Sequence, residues 1–558
     1  MVTAREAIEK ALAEAIQSAK GAGELPAEVA ATLELQAPRE ARHGDLSTSV
    51  ALAIGSARRR SGREVAEIIV RHLHAPEAVA RVEIAGPGFI NFTLATEYLR
   101  EVVREIGRGG RDYGRSEVGG GKRLLLEFVS ANPTGPMLVV NGRAAALGDA
   151  LANLFARTGW QVSREYYVND ALNGTQVQRF AETLEARYFE QFGRTAVVPE
   201  DGYVGDYVVK MAEELAAEAG EKYLEMPEAE RRQALYDYSL ARIVGDQREE
   251  MRAFGVEFDR WFYESSLYES GEVMAAVETL RERGHTYEAE GALWFRATAF
   301  GDEQDQVLIR SDGRPGYLAA DIAYHRNKFN RGFDRLIDIW GPDHHGHITR
   351  TKAGVEAVGC DVSRFEILVH QFVRLFRGTE MVRMSKRAGD IVPLRALIED
   401  VGTDAARFFF LMQSMDSHLD FDLELAKKQA AENPVYYVQY AHARICSILR
   451  GAEEKQVAIP EGAAVNLARV GEPDELALMR KLADLPEEIA QAAERYEAHR
   501  MTRYARELAA IFHVFYTNCR VLSDDAELTA ARLALVMATR TVLRIVLAVI
   551  GVSAPEQM

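Results

Sequence analysis

Cysteine is nearly absent: Cys360, Cys446 and Cys519 stand far apart in 558 residues, a spacing that suits neither a disulfide framework nor a zinc site. Long apolar runs are missing too. The longest near the C-terminus, 545–552, is far short of the roughly 18 residues that a spanning helix needs. The first twenty residues, MVTAREAIEKALAEAIQSAK, are charged throughout and lack the apolar stretch of a signal peptide. No membrane partner is expected, and reducing cytoplasm is the simplest compartment. A basic excess is lacking as well, since 67 Lys and Arg against 84 Asp and Glu leave −17. Taken alone this speaks against nucleic acid, because phosphate rewards positive charge. A large chain can still present a local basic face beneath a negative total.

What is present is ordinary for a globular protein: 47% apolar and 27% charged residues. The length exceeds a single core and predicts several domains. Thr3 and Glu6 fit a capping box, with Ile8, Leu12 and Ile16 at helical spacing behind them. Strand-like VEI at 82–84 and FINF at 89–92 flank the turn Gly86-Pro87-Gly88, so an α+β module over 1–115 is expected, ending in glycine-rich punctuation. The run RLLLEFV at 123–129 suits a buried parallel strand. A turn rich in Asn, Pro, Thr and Gly follows, then a helical stretch at 142–158 and a second strand at 161–168. Strand, turn and helix at the start of a parallel sheet is an arrangement that binds nucleotides at helix N-termini. The expected fold is α/β. A Rossmann-like doubly wound parallel domain spans 116–400, with a helical insertion at about 205–285, and an all-α domain spans 401–558. Asn433-Pro434 reads as a cap and first-turn pair.

Two motifs about 250 residues apart carry the strongest signal: ANPTGPMLVVNGR at 131–143 and RMSKR at 383–387. The second resembles the KMSK loop of class I aminoacyl-tRNA synthetases, and the first stands where those enzymes carry their HxGH turn. Around them GPGFINF at 86–92, REYYVND at 164–170, DIAYH at 321–325, GPDHHGH at 341–347 and NPVYYVQYAHAR at 433–444 follow the order of bacterial-type arginyl-tRNA synthetases. The resemblance covers essentially the whole chain, from HGD at 43–45 to APE at 554–556.

The resemblance implies ATP-dependent activation of L-arginine to arginyl-adenylate and transfer to tRNA-Arg, with a dependence of activation on bound tRNA. Partners would be arginine, tRNA-Arg and ATP with its Mg²⁺, the protein being a cytoplasmic monomer without a caged metal. Such chemistry asks the protein for alignment and charge stabilisation more than covalent work. Implied ATP contacts are Pro136, Leu138, Asn141, Gly142, Gly341, Asp343, Met384, Ser385, Lys386 and Arg387, with Asn141 and Lys386 carrying the catalysis. Implied arginine contacts are Glu127, Ser130, Asn132, Tyr317, Asp321, Asp343 and His344. Asp321 would meet the guanidinium, and Glu127 with Asn132 the α-amino and carboxylate end. Phe89, Asn91, Tyr436, Tyr440 and Arg444 would face tRNA.

The first motif departs from the family pattern: LVVN at 138–141 replaces HxGH. One reading is an inactive relative that binds tRNA or arginine. The preferred reading is an active enzyme, because Asn141 still offers an amide donor where a phosphate needs a donor and not a titrating group.

Overall fold

The computed structural model describes residues 3–28, 33–38, 40–58, 60–171, 175–382, 392–460 and 465–558. Thr3 caps helix α1 (Ala4–Gly21) in the predicted capping box: its hydroxyl accepts the Glu6 N–H, and the Glu6 carboxylate accepts the Thr3 N–H. Ile8, Leu12 and Ile16 are buried as their spacing requires. The module continues through β1 (Leu35–Gln36), β2 (Leu46–Thr48), α2 (Val50–Arg58), α3 (Gly62–His72), β3 (Val79–Ala85), β4 (Phe89–Leu94) and α4 (Thr96–Gly109). Its antiparallel sheet runs β1-β2-β4-β3.

The middle of the chain begins with β5 (Arg123–Phe128), α5 (Val139–Arg157) and β6 (Gln161–Val168). Helices α6 (Thr175–Gln191), α7 (Asp206–Ala219) and α8 (Glu228–Ala253) follow, then β7 (Arg260–Tyr263), α9 (Ser265–Glu269) and α10 (Glu272–Glu282). A small antiparallel sheet of β8 (Thr286–Ala289), β9 (Ala292–Phe295) and β10 (Gln306–Ile309) precedes α11 (Tyr317–Asn330), β11 (Arg335–Trp340), α12 (Ile348–Ala357) and β12 (Phe365–Val369). Strands β12-β11-β5-β6-β7 form one parallel sheet in that order. Leu124, Leu125 and Leu126 of β5 are buried at its centre, which is why the strand reads as a continuous apolar run rather than an alternating one. Chain order reverses between β5 and β11, so the crevice beyond their carboxyl ends is the switch point where such sheets take ligands.

Two boundaries differ from expectation. The stretch 205–285 is not all insertion, because β7 pairs in parallel with β6 as the sheet's edge. The helical excursion is α6 to α8, and it starts earlier, at Thr175. Acidic helical composition on either side of a four-residue strand hid the strand. The end of the α/β part is also later than 400. β13 (Val373–Arg377) pairs with β14 (Glu380–Met381) and, across α13 (Leu394–Val401) and α14 (Thr403–Phe410), in parallel with β15 (Leu419–Asp422).

Helix α15 (Leu423–Lys427) leads to the helical part: α16 (Pro434–Glu454), α17 (Pro473–Ala483), α18 (Leu485–Glu494), α19 (His499–Asn518) and α20 (Ala526–Val549). Asn433 caps α16 with Pro434 at the first helical position. One apolar core runs from α1 through β5 and α5 to α20. Among the described residues no helix is long and apolar enough to cross a membrane.

Candidate active site

At the carboxyl end of β5 the backbone takes an unusual course. Val129 (φ 72°) and Ser130 (φ 39°) both lie in the left-handed region, which a β-branched residue enters only under constraint. The constraint is visible. Ser130 Oγ donates to Glu127 Oε1 at 2.8 Å and accepts the Tyr167 N–H at 3.1 Å. The Tyr166 hydroxyl accepts the Ala131 N–H at 3.1 Å and donates to Gln247 Oε1 at 3.0 Å. Gln247 Nε2 in turn donates to the carbonyls of Asn132 (3.3 Å) and Gly135 (3.4 Å). Helix α8 thus holds the signature turn.

Glu127, Asp338 and Glu165 stand side by side on β5, β11 and β6, and all three are buried. One helix answers them. Lys328 of α11, fully buried, bonds Glu127 at 2.5 Å and Asp338 at 2.7 Å. His325 bonds Asp338 at 2.8 Å, while Tyr324 (2.8 Å) and Arg331 bond Glu165. Burial raises the Glu127 carboxyl although Lys328 opposes it. Burial pushes the Lys328 ammonium down, yet Asp338 and Glu127 together lift it above its ordinary value. Glu127 therefore enters the site with Lys328 and Ser130 as partners.

The same seam sets the N-terminal half of α11. Tyr317 and Asp321 are one turn apart there, on one face of the helix. Tyr317 is 56% exposed and Asp321 half-buried. Burial raises the Asp321 carboxyl, against the charges of His325, His344 and Arg350. A second acid sits close by and was missed in the sequence. Glu264, at the end of β7, is buried, and its carboxyl is pushed up to about 7, first by burial and then by Asp321. Tyr167 and Tyr268 hydrogen-bond to it. Two carboxylates repelling one another beside a tyrosine make a site suited to a planar cation. No motif marks Glu264, because it belongs to the strand mistaken for insertion.

Opposite them lies the N-terminus of α5. The Leu138 N–H donates to Asn141 Oδ1 at 2.8 Å. With the oxygen so committed, the other end of the Asn141 amide is the donor Nδ2. Val139 and Val140 hold first-turn N–H groups, which a helix cannot bond internally. Gly142 is buried, its own N–H bonds Leu138 O, and a Cβ there would lie 2.5 Å from Leu394. This glycine lets α5 pack closely against α13. Asn132 is exposed and donates to Gln176 of α6 at 2.9 Å. After β11 a turn of 3₁₀ helix (Pro342–His347) follows Gly341, whose lack of a side chain leaves room for Asp343 Oδ1. Asp343 and His344 are exposed and 3.5 Å apart. Among the described residues no cluster of His, Cys, Asp or Glu could hold a metal.

Met384, Ser385, Lys386 and Arg387 lie outside the described residues. The chain that leaves their segment is described, and it meets the first motif. Leu138 and Pro393 form an antiparallel bridge, and the Leu394 N–H donates to Met137 O at 2.8 Å.

Of the residues expected to face tRNA, Phe89 is 40% exposed, whereas Asn91 is buried and accepts from Ser47 at 2.6 Å. Asn91 shares the face of β4 that carries Phe89, opposite Ile90 and Phe92, and is buried there beside Ser47 of β2. Tyr436 and Tyr440 are half-buried with rings stacked at 6.3 Å. Arg444 lies over the rings of Tyr440 (5.0 Å) and Tyr516 (5.2 Å). Tyr516, on α19, was not foreseen because nothing in sequence links the two helices.

Family profiles cover the chain in order. "Arginyl tRNA synthetase N terminal domain" matches residues 4–94, "tRNA synthetases class I (R), catalytic domain" matches 107–446, and "DALR anticodon binding domain" matches 438–558. The arginine–tRNA ligase of Heliobacterium modesticaldum is 50% identical over 558 residues, covering 99% of each chain. That of Moorella thermoacetica is 49% identical, covering 98% of each. The crystal structure of Thermus thermophilus arginyl-tRNA synthetase superposes with a TM-score of 0.76 at 24% identity, over 99% of this chain and 100% of the other, which shows a common fold.

Proposed function

The chain belongs to the arginyl-tRNA synthetases, class I arginine–tRNA ligases, and from that premise we propose how its residues divide the work. The enzyme joins arginine to tRNA, driven by ATP. The guanidinium of arginine lies between Asp321 and Glu264, against Tyr317. Its α-amino group points to Asn132, with Glu127 and Ser130 shaping the floor. This leaves the carboxylate facing the N-terminus of α5.

ATP lies across that terminus, with Pro136 and Leu138 beside it and Gly341, Asp343 and His344 on the ribose side. First-turn N–H groups of Val139 and Val140 and the Asn141 Nδ2 meet the phosphates. Lys386, with Met384, Ser385 and Arg387, supplies charge to the departing pyrophosphate, for which a point charge on a flexible stem is well matched. Mg²⁺ arrives with the triphosphate. The arginine carboxylate attacks the α-phosphorus, pyrophosphate leaves, and the terminal ribose of tRNA then takes the arginyl group. Phe89 and the Tyr436, Tyr440 and Arg444 surface bind tRNA by stacking. Tyr516 joins that surface. A monomer acting in the cytoplasm completes the proposal.

The observation that carries the substrate assignment is the Glu264–Asp321 pair, with Glu264 at the carboxyl end of β7. Attachment of labelled arginine to tRNA with ATP tests it, using wild type, Asp321→Asn and Glu264→Gln. Charging by wild type and a rise of tenfold or more in arginine KM for each variant are expected. Unchanged KM values in both variants would refute the pocket.

A further inference from the structure

Glu250 takes no part in the scheme above, yet its carboxylate stands between the two ATP motifs. It is on α8, 5% exposed. Oε2 accepts the Met137 N–H at 3.4 Å, and Oε1 accepts the Arg395 N–H at 2.8 Å. Met137 is four residues before Asn141, in the signature turn. Arg395 is in the first turn of α13, which begins directly beyond the segment that carries RMSKR. The cap residue of α13 is Pro393, which has no side-chain acceptor to offer, so an orphan N–H of that helix is satisfied from another element. An anion there is also favoured by the helix dipole. Burial raises the Glu250 carboxyl, while these two backbone bonds hold it down.

Three further contacts close the same joint. Leu394 N–H bonds Met137 O, Leu138 bridges Pro393, and Leu394 packs against Gly142. The joint therefore connects the helix that bears Asn141 to the exit of the second motif. Glu250 is its acidic member, facing the Arg395 backbone, and it comes from the helical excursion, outside both motifs. Alignment is what the reaction demands, and a displacement of about 1 Å can lower a rate about a hundredfold.

We infer that Glu250 is a positioning residue for the adenylation step: by binding Met137 and Arg395 at once, it sets the spacing between the signature turn and the root of the RMSKR segment. The inference rests on assigning both motifs to ATP. It adds a residue that no motif contains, and it gives the α6–α8 excursion a part in activation.

Arginine-dependent ATP–pyrophosphate exchange, measured with saturating tRNA, tests this on the full chain. Glu250→Gln keeps the shape and one acceptor oxygen but presents an N–H₂ to the second backbone donor. A fall in kcat of tenfold or more is expected, with arginine KM, tRNA affinity and the thermal midpoint close to wild type. Should that variant not fold, Glu250→Asp, which retains the charge but spans less far, is read by the same criteria. Glu249→Gln, at an exposed neighbouring position, should leave every value unchanged. A kcat within twofold of wild type would overturn the inference, as would losses in arginine KM and tRNA affinity that keep pace with kcat, the mark of a merely structural residue. Lys386→Ala in the same assay separates the two layers. If it is fully active the motif assignment fails, whereas a defective Lys386→Ala beside an active Glu250→Gln removes the positioning role alone.

Discussion

Two acids held close together are unfavourable at rest, and Glu264 carries the strain. Its carboxyl stands at about 7 against an ordinary 4.5, from burial and then Asp321. A carboxyl raised in the folded state favours folding at acid pH. That advantage is complete below about pH 4.5 and is lost as pH rises through about 7. The span corresponds to about 3 kcal/mol. Glu264→Gln should therefore raise the thermal midpoint of the substrate-free protein at pH 8 more than at pH 5. Arginine binding shows the opposite trend, because the guanidinium is always charged and prefers both acids ionised. Arginine KM should fall roughly tenfold between pH 6 and pH 8 as Glu264 ionises, and Glu264→Gln should abolish that dependence. Asn141 can be judged separately. Losing a pre-organised donor costs about a hundredfold or more in rate, so Asn141→Ala should lower exchange kcat by that order and leave tRNA affinity unchanged. Asp321 was legible in sequence from its motif. Glu264 was not, since no neighbouring residue hints that β7 brings it to the same crevice.

At the scale of the element, α11 does two jobs that its sequence pattern does not separate. Its first turns present Tyr317 and Asp321 to the crevice, and the rest, Tyr324, His325, Lys328 and Arg331, neutralises acids on three neighbouring strands. Removing the central cation takes the ammonium away from two buried carboxylates, leaving Glu127 to Ser130 and Asp338 to His325. Breaking such a pair typically costs about 3–5 kcal/mol. Lys328→Met should accordingly lower the thermal midpoint by several degrees and shrink the soluble yield, where Lys222→Met on an exposed turn should do neither. The DIAYH motif falls within α11, and the structure shows the helix running from Tyr317 to Asn330. The partners of the second half lie on strands up to about 200 residues away, so only the sheet register reveals what Lys328 holds.

Across the whole molecule, the N-terminal module rests on the helical part. Arg100 donates to the carbonyls of Val470 (2.8 Å) and Ala468 (3.0 Å), Tyr113 donates to Leu482 O at 2.9 Å, and Arg480 pairs with Asp45. The two proposed tRNA surfaces are thereby fixed relative to one another, and neither needs the crevice to be intact. Arg444→Ala should raise the tRNA KM severalfold in aminoacylation while arginine KM stays put, and the difference should narrow at higher salt as electrostatic attraction is screened. An unchanged tRNA KM would remove Arg444, Tyr440 and Tyr516 from the interface. The negative total charge says little about such a contact, which would depend on local stacking and a few cations.

By itself the sequence determined the broad order of α+β, α/β and helical parts and the family, since these depend on short-range periodicity, caps and fixed motifs that survive without knowledge of neighbours. It also marked Asn141 and Asp321. Only the tertiary structure decided that Glu264 lies beside Asp321, that Lys328 occupies Glu127, that Asn91 is covered by Ser47, and that Glu250 ties two motifs together. Each of those facts is a contact between residues distant in the chain, and such contacts exist only once the sheet order and the helix crossings have been set.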